Sequence, residues 1–197
     1  MVSWSQMIKN FDKRLDIEDI EEFQLHLTKA VNRKISKLEE EYGTVSEDDM
    51  ADPRDLDAYK DHLTDVMIST QSAKILGDEL SILALYKKVE IKTKKIIESK
   101  VPNPKSKNLS YINNVRSILP FELETIDGYS SFNELRLLNN AIKHGGLVSN
   151  ELSSKYPSWI EGDELKDLDI AYRRLLSGVE LYVSTLVERL YSLSEQP

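Results

Sequence analysis

The stretch LKDLDIAYRRLLSGVELYVSTLVERLYSL, residues 165–193, decides the fold class. Leu165, Leu168, Tyr172, Leu175, Val179, Tyr182, Leu186, Leu190 and Leu193 follow one another at steps of three and four. An α-helix turns once every 3.6 residues, so this spacing lines them up on one side. Leu176, Val183 and Val187 broaden the apolar side, which places the helix against a core.

The same signature recurs toward the N-terminus. Ile20, Leu27, Val31, Ile35 and Leu38 predict a helix over 17–42. Asp16 can cap it, and Glu18, Asp19, Glu21 and Glu22 suit the positive end of its dipole. A shorter lead-in helix within 1–14 has Trp4, Met7, Ile8 and Phe11 as its apolar side. Gly43 is expected to end the long helix, and Asp52-Pro53 starts the next by supplying a cap and a preset first position.

From there a helical pattern runs almost to Lys100. Leu56, Tyr59, Leu63, Val66, Met67 and Thr70 form one stripe. Ile75, Ile82, Tyr86, Val89, Thr93 and Ile96 form a second, widened by Leu76, Leu80 and Leu83. A helix apolar on more than one side is central in its bundle. The change of phase between Gln71 and Gly77 predicts a kink or two consecutive helices.

A short helix is expected from Ser110 to Leu119, with Tyr111, Val115 and Ile118 inward. Ser131 and Glu134 have capping-box spacing for a helix that ends at His144, where Gly145-Gly146 supplies a left-handed stop. Residues 147–162 read as irregular, with Trp159 at the core edge. The expected architecture is an all-α, up-down helical bundle of three long and two or three shorter helices, in one domain over 1–197.

Composition agrees. Seven glycines and six prolines are few for 197 residues, which favours long helices over short strands joined by turns. The lack of cysteine excludes disulfides and thiolate chemistry. No basic segment followed by an apolar block begins the chain, and no run nears the roughly 18 apolar residues of a membrane span. A cytoplasmic protein with no membrane partner is expected. A net charge of −8 argues against nucleic-acid binding over the whole surface. The charge is uneven, however: 39–65 is acidic, whereas Lys87, Lys88, Lys92, Lys94, Lys95, Lys100, Lys105 and Lys107 face only Glu90 and Glu98 in their stretch. That stretch reads as a solvated helix face and loop, or else as a local basic strip.

Chemistry concentrates in ELRLLNNAIKHGG, residues 134–146. Arg136, Asn140 and His144 recur every four residues on one helix face, with Lys143 beside them, opposite Leu135, Leu138, Ala141 and Ile142. Arg136 and His144 lie roughly 12 Å apart along the axis. Two copies meeting antiparallel across this face would bring one Arg136 near the other's His144. Such a pair suits metal-free cleavage of an RNA phosphodiester by the ribose hydroxyl. His144 would act as general acid/base, Arg136 or Lys143 as stabiliser of the charged phosphorane, and Asn140 as orienting hydrogen-bonder. Tyr129 and Phe132 would join the dimer contact. The plainer reading is a solvated face with His144 near its helix's last carbonyls. No cofactor or metal is implied. His62 and Asp65 share a face but are too few for a metal, His26 reads as a partly buried surface residue, and no phosphate loop follows a strand.

Asn139-Asn-Ala-Ile-Lys-His144, late in an α-bundle, resembles the signature of the HEPN superfamily (higher eukaryotes and prokaryotes nucleotide-binding domains). The resemblance implies a small all-α protein, often dimeric. Many members are metal-independent ribonucleases of toxin–antitoxin, CRISPR and antiphage systems. Their motif is Arg, a polar residue, three variable residues and His. Asn140 and His144 match its second and last positions; Asn139 stands in place of the Arg, and Arg136 lies three residues earlier. Members with altered motifs are expected to bind or scaffold. The expectation is therefore a homodimeric HEPN-like protein of a bacterial defence or toxin–antitoxin type. It acts on RNA through Arg136, Asn140, Lys143 and His144, or else is a non-catalytic interaction protein for an antitoxin or other protein partner.

Overall fold

The computed structural model describes residues 3–102, 104 and 108–194. Of the described residues 77% are helical, and no strand forms among them. Helices are α1 (Trp4–Lys13), α2 (Glu18–Thr44), α3 (Asp55–Lys100), α4 (Ile112–Ile118), α5 (Tyr129–Lys143), α6 (Asn150–Lys155) and α7 (Leu168–Ser194). Three are long, with 27 residues in α2, 46 in α3 and 27 in α7. The all-α helical bundle expected from the apolar spacing is the fold found. No helix among the described residues is long and apolar enough to cross a membrane.

The chain packs as two compact units, one of Met1–Ile17 with Ile82–Pro197, the other of Glu18–Ser81. The first holds most of the core. Its α7 buries Leu168, Tyr172, Leu175, Val179, Tyr182, Leu186 and Leu190, whereas Leu193, at the end of the stripe, is exposed. Against it lies α5, running the opposite way: Gly128 meets Gly178 and Tyr182 at one end, and Glu134 meets Arg174 further along. The C-terminal half of α3 adds Ile82, Leu85, Val89, Ile96 and Ile97. Phe132 stacks on Tyr182 at 4.2 Å and 3°, and Tyr86 is near-parallel to Phe132 at 6.4 Å.

Two glycines let α5 approach α7. A Cβ on Gly178 would stand 2.1 Å from Ser131 Oγ, and one on Gly128 would stand 2.1 Å from the Gly178 carbonyl oxygen. Gly128 also has φ +81, left-handed backbone that L side chains rarely adopt. Helix α5 therefore starts at Tyr129, two residues before the Ser131 expected as its cap.

In the second unit α2 and α3 form a hairpin, with Leu27 against Gly77 and Tyr59 Oη donating to Glu41. A Cβ on Gly77 would fall 1.9 Å from Leu27 Cδ2, so a larger residue here would push the Leu27 side chain aside. Helix α2 passes through Gly43 to Thr44, and α3 is one helix across 71–77 rather than two. The phase change there is a change of neighbours: Leu63, Thr70 and Gly77 are buried in the second unit, and the stripe from Ile82 onward in the first. Ile75, expected within the core stripe, and Leu76 and Leu80, expected to widen it, are exposed, as is Tyr111 beside α4.

Candidate functional site

Helix α5 presents the residues singled out in the sequence, and its register sorts them. Leu135, Leu137, Leu138 and Ala141 are buried, which turns Asn140, Lys143 and His144 to solvent. The helix stops where the glycines require. Gly145 and Gly146 take φ +112 and +74, and the Gly146 N–H donates to the Ala141 carbonyl at 2.9 Å, a bond that closes the last turn. The backbone N–H of His144 donates to the carbonyls of Asn140 and Ala141. Among the described residues, neither the Lys143 ammonium nor the His144 imidazole has a side-chain partner.

Arg136 is differently placed. Its side chain is only 12% exposed, and its Nη2 donates to Glu151 Oε1 at 3.0 Å and to Asn133 Oδ1 at 3.1 Å. Glu151 comes from α6, a short helix inside the segment expected to be irregular. Ser149 caps it by accepting from the Leu152 N–H, and the Leu147–Glu164 bridge closes the excursion at its base. Lys155, one turn on, donates to the same Glu151 oxygen at 2.8 Å. That hydrogen bond, helped by the charge of Arg136, holds the Glu151 carboxyl below the ordinary glutamate value. Asn133 continues the network by donating to Tyr156 Oη, which in turn donates to the Ser130 carbonyl. The structure therefore brings Arg136 together with Glu151 and Asn133. Asn140, Lys143 and His144 remain on the exposed part of the helix.

Asn139, at the position of the motif's arginine, turns inward at 2% exposure. Its Nδ2 donates to Asn140 Oδ1 at 3.3 Å, and its Oδ1 has no partner among the described residues. Phe132, expected at a dimer contact, is interior and stacked on Tyr182, so it presents nothing to a second copy. Tyr129 is held within the chain: Arg116 donates to its hydroxyl at 2.8 Å, and that hydroxyl donates to Glu124.

Sequence reasoning missed a second polar centre on the inner side of α5. Glu134 is buried; Trp159 Nε1 donates to it at 2.7 Å, and Arg174 donates twice, at 2.9 and 2.6 Å. This carboxylate is the tie between α5, α7 and the loop carrying Trp159, not half of a capping box. Its signal was a lone acid two residues after Phe132 and one before Leu135, in a stretch that otherwise faces the core.

The other candidates are plain. His26 is exposed, with Nε2 4.0 Å from Glu22. No three His, Cys, Asp or Glu side chains among the described residues converge as a metal site would require. Three lysines of the lysine-rich stretch are engaged locally: Lys94 with Glu90 and Ser110, Lys92 with Asp12, and Lys100 3.6 Å above the Tyr191 ring. Lys105 and Lys107 lie outside the described residues. Compared with known proteins, the chain matches no family model, no curated protein and no solved structure.

Proposed function

We propose that this is a HEPN-like helical interaction protein of a bacterial defence or toxin–antitoxin type, which docks a partner protein on the outer face of α5 and does not cleave RNA. The observation that carries the reading is the pairing of Arg136 with Glu151. A phosphorane needs a cation whose charge is free to follow the developing anion. Here the nearly buried guanidinium is already engaged by the Glu151 carboxylate and the Asn133 amide oxygen, so it is not free to follow an approaching phosphate. The motif's arginine position supplies no substitute, because Asn139 is uncharged and buried. What remains outside, Asn140, Lys143 and His144, is a ridge of hydrogen-bonding groups suited to a polar protein interface.

A second reading keeps the nuclease. Its support is that Lys143 and His144 are exposed and unpaired among the described residues, and a homodimer could oppose two such ridges over an RNA strand. The two readings differ in what the ridge does. Affinity capture from the source cells, with the wild-type chain and the Asn140→Ala/Lys143→Glu variant, tests the first. A protein held by the wild type and lost by the equally folded variant supports docking. Equal retention by both, or no specific protein with either, overturns it.

A further inference from the structure

Helix α1 is packed inside out. Its contacts with the rest of its unit run through charge: Lys9 and Lys13 pair with Glu188, Tyr191 Oη donates to Asp12 at 2.7 Å, and Lys92 Nζ donates to the Phe11 carbonyl. The apolar residues point the other way. Trp4 is 74% exposed, Phe11 73%, Met7 52% and Ile8 43%, and no residue of α1 is buried. Intervals of three, four and seven residues make these four one ridge, about two turns long. An amphipathic helix of a globular protein ordinarily does the reverse, and an exposed apolar ridge marks a binding surface.

We infer that this ridge and the lysines beside it dock on an anionic lipid interface. Charge selects that occupant. Lys92 Nζ sits 5.0 Å from the Phe11 ring centre, and the exposed Lys95 lies about one turn further along the same face of α3. The acids at this edge, Asp12 and Glu188, are already engaged by Lys92, Lys9 and Lys13. Lys9, Lys13, Lys92 and Lys95 thus stand against the two carboxylates they meet, which leaves positive charge in excess next to the exposed aromatics. Size argues against a second copy as the occupant: four side chains fall far short of the roughly 800 Å² per partner of a stable protein interface. A headgroup layer takes up apolar side chains singly, favours Trp at its boundary, and holds best where an apolar and a basic signal coincide. The absence of a membrane-spanning helix among the described residues is a separate matter, since α1 would lie in the plane of the headgroups.

The test is flotation of the full chain with vesicles of phosphatidylcholine alone and with an equimolar mixture of phosphatidylcholine and phosphatidylglycerol. The expected result is binding to the mixed vesicles, weakened by salt, with a blue shift and bromolipid quenching of Trp4 emission. Phe11→Asp should lower partitioning by roughly tenfold or more. Lys95→Glu should lower binding to the mixed vesicles. Ile160→Asp, an exposed apolar position on another segment, should leave binding unchanged. Because Phe11 is exposed, its replacement leaves the fold intact, which circular dichroism checks. No flotation on either vesicle overturns the inference, as does flotation indifferent to Phe11→Asp. So does a wild-type oligomer that Phe11→Asp dissociates without any vesicle binding, which would make the ridge a protein interface. None of these outcomes involves α5, so failure here is separate from failure of the docking proposal.

Discussion

Removing the buried carboxylate of Glu134 should be among the costliest single changes in the motif helix. Its side chain is 5% exposed and accepts one bond from Trp159 and two from Arg174. Breaking a buried ion pair costs about 3–5 kcal/mol when the surviving charge stays dry. Here the survivor is Arg174, half exposed at 50%, so water takes over its guanidinium and the ion-pair part falls to about 1 kcal/mol. The indole N–H of Trp159 loses its acceptor in a half-buried setting, adding about 1–2 kcal/mol. Glu134→Ala should therefore destabilise by about 2–3 kcal/mol. Glu134→Gln, which keeps an acceptor for the indole, should lose about 1 kcal/mol. A double-mutant cycle with Arg174→Ala should give a coupling of about 1 kcal/mol. Urea unfolding followed by circular dichroism and Trp159 fluorescence measures all three. A Glu134→Ala cost below about 0.5 kcal/mol, within the range of ordinary surface changes, would refute this account of the tie.

Other consequences follow from the same geometry. Gly178→Ala places a Cβ 2.1 Å from Ser131 Oγ and should cost about 1–3 kcal/mol by forcing α5 off α7; adding Ser131→Gly should recover part of that loss in denaturation midpoint. The Tyr191 hydroxyl is pushed up to about 12 from its ordinary 10.0, chiefly by burial and then by its hydrogen bond to Asp12. The folded state thus holds this proton more tightly, so the stabilisation is complete below pH 10 and is lost as pH rises toward 12. Phenolate absorbance of wild type and Asp12→Asn should differ by one tyrosine that titrates earlier in the variant. For Glu151 the sign is opposite: its carboxyl is held below 4.5, so the Arg136 tie is intact above that pH and is lost as pH falls through the lowered value. The Arg136 side-chain NMR signal should stay constant above pH 4.5 and shift only below it.

Regular periodicity was readable where one side of a helix stays buried along its length, as along α7, where steps of three and four leave little choice of face. It misled in α3 around Ile75, Leu76 and Leu80, because a helix that changes neighbours partway carries two overlapping stripes and the spacing does not say which is covered. The exposed part of the candidate site was legible for a similar reason: buried Leu135, Leu138 and Ala141 fix the outward direction of Asn140, Lys143 and His144. The partner of Arg136 was not. Glu151 lies fifteen residues on, across a glycine stop, and reaches α5 only because α6 forms inside an apparently irregular segment. Glu134 was misread because a Ser–x–x–Glu spacing has the same form as a cap, whereas the true start is fixed by the left-handed Gly128 packed against α7. The inverted α1 was also out of reach, since amphipathicity reveals two faces and not which one the rest of the unit will take.

The central claim, that the Arg136–Glu151 pair leaves the α5 ridge without catalytic power, is tested most directly by incubating the pure chain with mixed-sequence RNA in a metal chelator. Wild type, His144→Ala and Glu151→Gln are compared by single-turnover cleavage. The account predicts that wild type and His144→Ala are alike and at background. Chelator-resistant cleavage by the wild type that disappears in His144→Ala would contradict it.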